Sequence, residues 1–234
     1  MNQGASQPGA RRASLLHTAI AANIGMVFEW YDLVLYVLFA VTLSKQFFPT
    51  SDPNVGVLLS LGTFAIAWLV RPLGAIVLGT YADRAGRKPA LVWSVGLMML
   101  GTGITAVLPN YATIGMAAPI LLVLARLVQG FSAGGEFGSA TALMAEQDAS
   151  RRGFFASLQW ASSGFAVFLA SMFAYAVNRT LSPADVAAWG WRVPFLFGLL
   201  IGPVGWYIRR NLDESPEFSA ANTSPERCLR NRRK

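Results

Sequence analysis

The feature that most constrains this chain is a short charged segment, GTYADRAGRK, between two long apolar segments. A mostly apolar segment from Val55 precedes it, and the segment from Pro89 to Leu108 behind it carries no charge. Because a helix rises about 1.5 Å per residue, about 20 residues cross the roughly 30 Å hydrocarbon layer of a bilayer. The two flanks therefore predict two transmembrane helices joined by a tight, basic loop at the membrane surface.

The composition also favours a membrane protein. Hydrophobic residues make up 54% of the 234 residues and charged residues 13%, which is about half of the roughly 25% that is usual in soluble domains. The net charge of +7 does not predict a nucleic-acid partner, because the basic residues lie between apolar segments rather than on one folded face. We expect the chain to contact the lipid bilayer and no nucleic acid.

Several chemical classes are not expected from the residue pattern. The single cysteine, Cys228, gives no disulfide framework and no spacing typical of metal ligands. The chain has no nucleophile triad and no glycine loop of the phosphate-binding type. We therefore expect no metal, no cofactor and no enzymatic activity.

Apolar segments predict an all-α membrane protein with six transmembrane helices. The predicted spans are residues 15–43, 55–82, 89–108, 117–145, 153–178 and 191–208. The polar ends predict a disordered cytoplasmic tail at 1–14 and a polar cytoplasmic tail at 211–234, on either side of a transmembrane domain at 15–210. An even number of spans places both ends on the same side.

The distribution of Lys and Arg predicts which side that is. Fourteen of these residues lie on the side of the two ends, and three lie on the other side: Lys45, Arg179 and Arg192. Since basic loops stay in the cytoplasm, we expect a multi-pass inner-membrane protein with both termini in the cytoplasm.

The segment before the last span carries signals of its own. Ser182, Pro183 and Asp185 have the order of an N-cap, a first-turn proline and a first-turn acid, which predicts a short surface helix. Trp189 and Trp191 then follow at the expected depth of the outer membrane interface, where tryptophans are enriched.

Four stretches narrow the family. The pattern Gly-x-x-x-Asp-Arg-x-Gly-Arg-Lys resembles the loop signature of the major facilitator superfamily. Together with three further motifs it resembles the metabolite:proton symporter family. These motifs are FEWYD at 28–32, ARLVQGFSAGGEFGSA at 125–140, and WGWRVPFLFG at 189–198 followed by ESPEF at 214–218. The resemblance implies symport of a proton with a small organic acid, or with a betaine- or proline-like solute.

The resemblance also implies a partner that the chain does not contain. Such transporters have two six-helix halves, and the match covers the N-terminal half only, so a C-terminal half is an expected partner. It further implies that the loop residues form a cytoplasmic gate against that half: Gly79, Asp83, Arg84, Gly86, Arg87 and Lys88. Two alternatives stay open, a truncated fragment without transport activity and a half-size transporter that works as a homodimer.

Five ionisable residues lie well inside the predicted spans, away from the span ends: Glu29, Asp32, Arg71, Arg126 and Glu136. Each costs about 2.5–3.5 kcal/mol at a span centre, so we predict that they face the bundle and bind the proton or the substrate. With three acids and two arginines, at least one acid lacks a full arginine partner and is a candidate proton carrier. Alternatively, the acids are ion-paired with the arginines and only hold helices together.

The two arginines differ in what is expected of them. A guanidinium offers a bidentate site for a substrate carboxylate, which favours organic acids over betaine-like solutes. The family motif around Arg126, Gln129 and Gly130 implies a coupling or substrate role for Arg126. Because Arg71 directly precedes Pro72, a structural role at a helix kink is equally open for Arg71.

Two further patterns concern packing. Gly130, Gly134 and Gly138 recur at every fourth position, which predicts a face where a neighbouring helix approaches closely. The aromatic residues beside Glu29, namely Phe28, Trp30 and Tyr31, either fill the core or present an aromatic face to a quaternary ammonium group.

Overall fold

The computed structural model of the chain describes residues 8–147 and 152–210. That part is helical, without strands. The helices are α1 (Pro8–Leu38), α2 (Ala40–Phe47), α3 (Pro53–Ala85), α4 (Arg87–Val107), α5 (Tyr111–Ile114), α6 (Ala117–Gln147), α7 (Arg152–Thr180), α8 (Pro183–Asp185), a π-helical turn (Val186–Gly190) and α9 (Arg192–Arg210).

Length and composition identify four of these helices as candidate membrane spans, and six spans result if each of two bent helix pairs counts as one. This confirms the prediction of an all-α membrane protein with six spans. The predicted N-terminal tail is partly wrong, because α1 begins at Pro8. A proline is well tolerated there since the first helical N–H has no partner within the helix. The predicted tail at 211–234 lies outside the described residues.

The first predicted span is bent rather than continuous. Residues Asn23–Leu38 and Ala40–Phe47 meet at an angle of 70°, although no proline or glycine lies near the bend. Phe39 has φ −99° and ψ 11°, in the sparsely populated bridge region, so the helical path is interrupted at this residue. The bend turns Leu43 and Phe47 of α2 into the core, where both are fully buried.

The loop between the two helices that flank the signature segment is shorter than predicted. Gly79, Asp83 and Arg84 belong to the end of α3, and Arg87 begins α4. The turn is a single residue, Gly86, with φ 108° and ψ 160°, a conformation that only glycine adopts readily. Since α3 ends with the N–H of Gly86 donating to Ala82 O at 2.9 Å, the charged residues lie on helix ends.

The short helix predicted before the last span is confirmed. Ser182 Oγ accepts the backbone N–H of Asp185 at 3.2 Å, as an N-cap does. Trp191 is not on the surface, as a residue of an aromatic belt would be: it is fully buried, and its ring meets Phe47 and Phe195 edge-on, with centroids 5.9 Å apart in each pair. The π-helical turn before it rotates the indole into the core, whereas Trp189 is 49% exposed.

The close approach predicted on α6 is confirmed for two of its three glycines. A Cβ at Gly130 would lie 2.0 Å from Ala67 O, and a Cβ at Gly134 would lie 2.0 Å from Arg71 O. The α3 and α6 backbones therefore touch at these two turns. At Gly138, no atom of the described residues lies within 4 Å of such a Cβ. Gly135, one turn before Gly138, still lies against α3, since its Cβ would lie 2.3 Å from Leu78 Cβ.

Candidate functional site

Two ion pairs connect α1 to its neighbours in the interior of the bundle. Glu29 and Asp32 lie one helical turn apart on α1, and both are buried. Their partners come from different helices: Arg71 Nη2 of α3 lies 2.5 Å from Glu29 Oε1, and Arg126 Nη1 of α6 lies 2.8 Å from Asp32 Oδ2. The structure thus brings together four of the five predicted intramembrane residues.

The two pairs differ in their exposure. The side chains of Arg126 and Asp32 are 4% and 2% exposed, so this pair is almost completely buried. The side chain of Arg71 is 22% exposed, and its guanidinium carbon lies 3.9 Å from the centre of the Trp68 ring. Arg71 is therefore held by Glu29 and by the aromatic ring, while part of it stays accessible.

Three donors surround the carboxylate of Asp32. Oδ2 accepts from Arg126 Nη1 at 2.8 Å and from Gln129 Nε2 at 3.0 Å, whereas Oδ1 accepts from the hydroxyl of Thr102 at 2.8 Å. Gln129 Nε2 also donates to Thr102 Oγ1 at 2.8 Å. The carboxylate therefore connects three helices, α1, α4 and α6.

Arg126 is fixed from several sides. Its Nη2 donates to Thr105 Oγ1 at 3.0 Å, and its guanidinium carbon lies 4.4 Å from the centre of the Tyr36 ring. The Tyr36 hydroxyl in turn donates to Ser60 O at 3.0 Å and contacts Thr63 Oγ1. These contacts hold the guanidinium in one orientation toward Asp32.

Two buried polar atoms beside this network have no hydrogen-bond partner among the described residues: Arg126 Nε and Gln129 Oε1. Both side chains line a cavity of about 30 Å³ that Glu29, Asp32 and Arg71 also line. A cavity of this size has room for a water molecule. One donor and one acceptor thus remain for a polar group in the cavity.

A second cavity, of about 230 Å³, lies between α1, α3 and α7 on the other side of the Glu29–Arg71 pair. Besides this pair, its lining contains three tryptophans and a few smaller or polar residues: Met26, Trp30, Trp68, Gln159, Trp160 and Ser163. Of the three aromatic residues beside Glu29, Trp30 alone lines it, because Phe28 and Tyr31 are buried in the core. Size and lining suit a small molecule with apolar and charged parts.

Glu136, the fifth intramembrane residue, lies apart from the Asp32–Arg126 pair. It follows Arg126 by ten residues on α6, about 15 Å along the helix axis. It is buried, and the hydroxyl of Ser94 on α4 lies 3.4 Å from its Oε2. The structure therefore does not group Glu136 with the two ion pairs.

The predicted gate residues lie at the ends of α3 and α4. Asp83 Oδ1 lies 2.9 Å from Arg87 Nη1, and the side chain of Asp83 is 67% exposed. This pair spans the turn at Gly86. In the described part of the chain, no group of three or more His, Cys, Asp or Glu side chains is placed to hold a metal ion.

Sequence reasoning did not single out Thr102 and Thr105. Both are fully buried, and they contact Asp32 and Arg126. A signal for them exists, since two threonines three residues apart share one face of an otherwise apolar span, and polar side chains in such spans usually bond across helices.

Comparison with known proteins agrees with this architecture. The family model described as "Sugar (and other) transporter" matches residues 18–231. The chain is 38% identical to the citrate-proton symporter of Klebsiella pneumoniae over 92% of this chain and 48% of that protein. It is 38% identical to the proline/betaine transporter of Salmonella typhimurium over 85% of this chain and 40% of that protein. It is 36% identical to the shikimate transporter of Escherichia coli over 89% of this chain and 47% of that protein.

A solved structure shows the same fold. The major facilitator superfamily proton:xylose symporter XylE, bound to 6-bromo-6-deoxy-D-glucose, superposes with a TM-score of 0.81 at 17% identity, over 92% of this chain and 48% of that chain. The chain spans about half the length of the curated relatives it matches. With residues 18–231 matched by the family model and the fold of half a major facilitator transporter, this chain is a membrane protein of the sugar (and other) transporter family.

Proposed function

We propose that this chain forms the proton-coupling six-helix half of a symporter that carries a small organic acid across the inner membrane. The observation that carries the proposal is the buried ion pair between Asp32 and Arg126, at 2.8 Å. A proton on Asp32 removes the charge that holds Arg126, and it weakens a contact between α1 and α6. Since an uncompensated buried charge is costly, proton binding and helix arrangement depend on each other at this pair.

Arg71 is the residue we propose as the site for a substrate carboxylate. Its side chain is 22% exposed and lines the cavity of about 230 Å³. A guanidinium binds a carboxylate with two parallel hydrogen bonds. Glu29 and Trp68 hold the group in place before the substrate arrives, which lowers the entropy cost of binding. Arg126 is less suited to this task, because both of its Nη atoms already donate to protein oxygens.

A betaine- or proline-like solute is the second candidate. Trp30, Trp68 and Trp160 line the same cavity, and tryptophan faces attract quaternary ammonium groups. The formal charges of Glu29, Asp32, Arg71 and Arg126 add up to zero, which suits a zwitterion. Curated relatives are named for both solute classes, citrate and proline/betaine.

Uptake into membrane vesicles tests the proposal. The vesicles contain this chain together with a C-terminal six-helix half, and an imposed pH gradient drives the uptake of citrate, of shikimate or of glycine betaine. Uptake of an organic acid that stops when an uncoupler dissipates the gradient supports the proposal. Uptake that continues at the same rate with the uncoupler contradicts proton coupling.

An isostere that lacks the cationic nitrogen but keeps the carboxylate separates the two solute classes. 3,3-Dimethylbutanoate has the shape of glycine betaine with carbon in place of the charged nitrogen. If the tryptophans bind a cation, glycine betaine competes for uptake much better than its isostere does, and Trp160→Leu removes the difference. Trp93→Leu is the matched control, because Trp93 is a similarly exposed tryptophan on α4 that is not among the residues lining this cavity. Equal competition by both compounds favours the organic acid.

The direction of insertion is part of the proposal. Both ends of the chain face the cytoplasm because basic residues concentrate there. The exposed Asp83 and its partner Arg87 then lie on the cytoplasmic side, where the second half of the transporter contacts them as a gate. We expect the chain to transport nothing without that half. The alternative is a working homodimer, which crosslinking in membranes would detect.

A further inference from the structure

We propose that the proton binds Asp32 at Oδ1, and that the hydroxyl of Thr102 is the group that reverses its hydrogen bond to receive it. This inference rests on the proposed role of Asp32 as the proton carrier. It adds a positioning residue on α4, Thr102, which neither the sequence motifs nor the comparisons single out.

The two carboxylate oxygens of Asp32 face different kinds of partners. Oδ2 faces Arg126 Nη1 at 2.8 Å and Gln129 Nε2 at 3.0 Å. Guanidinium and amide nitrogens donate hydrogen bonds and accept none. A proton on Oδ2 would therefore point at two N–H groups, and one of these side chains would have to move away. Protonation at Oδ2 is disfavoured for this reason.

Oδ1 faces a group that can change its role. The Thr102 hydroxyl donates to Oδ1 at 2.8 Å, and a hydroxyl has one hydrogen and two lone pairs, with free choice of rotation. When Oδ1 carries the proton, it donates to Thr102 Oγ1 instead. The heavy atoms stay in place, and only the direction of the hydrogen bond is reversed.

On protonation the hydrogen of the Thr102 hydroxyl rotates away from Oδ1, because one lone pair of Oγ1 now accepts the proton carried by Oδ1. Gln129 Nε2, at 2.8 Å from Thr102 Oγ1, keeps donating to the second lone pair. Thr102 Oγ1 thus keeps its contacts with Asp32 Oδ1 and Gln129 Nε2 in both states.

Protonation of Asp32 moves a single proton. One proton comes from water, through the cavity of about 30 Å³ that Asp32, Arg126 and Gln129 line, and it stays on Asp32 Oδ1. The hydrogen of Thr102 rotates and is not transferred. Because Thr102 belongs to α4, the protonation state of α1 is transmitted to a third helix besides α1 and α6.

Infrared spectroscopy of the purified chain in lipid nanodiscs tests this proposal without any transport. Acidification produces the C=O stretching band of a protonated carboxyl group, whose wavenumber rises when its O–H loses a hydrogen-bond acceptor. Labelling aspartate with ¹³C at the side-chain carboxyl separates Asp32 from Glu29 and Glu136. Asp32 is the one aspartate among the five ionisable residues of the predicted spans, and loss of its band in Asp32→Asn completes the assignment.

We expect Thr102→Val to move the Asp32 band to higher wavenumber, since valine accepts no hydrogen bond. Thr102→Ser keeps the hydroxyl and should keep the band in place. Thr102→Cys, with a weak sulfur acceptor, should give an intermediate shift, and it carries the test if the valine variant does not fold. Thr105→Val is the matched control: Thr105 contacts Arg126 and not Asp32, so the band should not move.

Three outcomes contradict the proposal in different ways. An Asp32 band at the same wavenumber in Thr102→Val and in the unsubstituted chain overturns the role of Thr102 alone. An equal shift in Thr105→Val overturns it as well, because the shift then reports a general disturbance of α4. Absence of any Asp32 band down to the acid limit of folding overturns both this inference and the proposed proton carrier.

Discussion

Replacing Gly134 by alanine should destabilise the packing of α3 against α6. The added Cβ would lie 2.0 Å from Arg71 O, whereas real Cβ atoms essentially never come closer than 3.0 Å to a heavy atom. The two helices must therefore separate by the difference, about 1 Å or more. The atom in the way belongs to the backbone, so no side-chain rotation relieves the contact.

The expected magnitude follows from two opposing effects. Overpacking of this kind costs about 1–3 kcal/mol, while alanine gains about 1 kcal/mol over glycine in helix propensity. Gly138→Ala is the matched control, since it brings the same gain and no atom of the described residues lies within 4 Å of its Cβ. The difference between the two variants isolates the clash, and we expect Gly134→Ala to be about 1–3 kcal/mol less stable than Gly138→Ala.

The measurement is the free energy of unfolding of the chain in detergent micelles, followed by circular dichroism during titration with sodium dodecyl sulfate. Gly130→Ala should behave like Gly134→Ala, because its Cβ would lie 2.0 Å from Ala67 O. If Gly130→Ala and Gly134→Ala unfold at the same denaturant concentration as Gly138→Ala, α3 and α6 do not pack backbone to backbone, and this part of the structure is refuted.

Two further predictions concern the ion pair and the topology. Glu29→Gln should lower the free energy of unfolding by about 1–3 kcal/mol. This is less than the roughly 3–5 kcal/mol for breaking a fully buried pair, because the side chain of Arg71 is 22% exposed. The double variant Glu29→Gln/Arg71→Gln should recover part of the loss, and an additive loss in the same denaturation assay would contradict the pairing. Reporter fusions after Arg152 and Arg210 should indicate the cytoplasm and a fusion within 110–113 the periplasm, and the reverse pattern would overturn the orientation.

The sequence predicts the spans and the inward-facing charges well, and the reason is physical. A span needs a minimum apolar length, and a charge inside it is too costly to face lipid, so the burial of Glu29, Asp32 and Arg126 follows without a structure. The close approach at Gly130 and Gly134 is predictable for a similar reason, since small residues on one helix face allow backbones to touch.

The pairing of the charges is not predictable in this way. Glu29 and Asp32 share one face of α1, and which of them meets Arg71 and which meets Arg126 depends on where α3 and α6 cross α1. The bend at Phe39 has no local sequence signal, because its neighbours favour a continuous helix. Likewise, Gly138 continues the spacing of Gly134, yet no atom of the described residues lies within 4 Å of a Cβ at Gly138.

The most direct test of the account is to neutralise Asp32 and compare two modes of transport, in vesicles that also contain a C-terminal half. We expect Asp32→Asn to abolish uphill uptake driven by a pH gradient and to preserve exchange of preloaded substrate, because asparagine mimics the protonated carboxyl group. Loss of both modes together with loss of expression would instead identify a structural ion pair. Full uphill uptake in a normally folded Asp32→Asn variant would contradict the central claim, and Glu29 and Glu136 would then be the carboxylates to test.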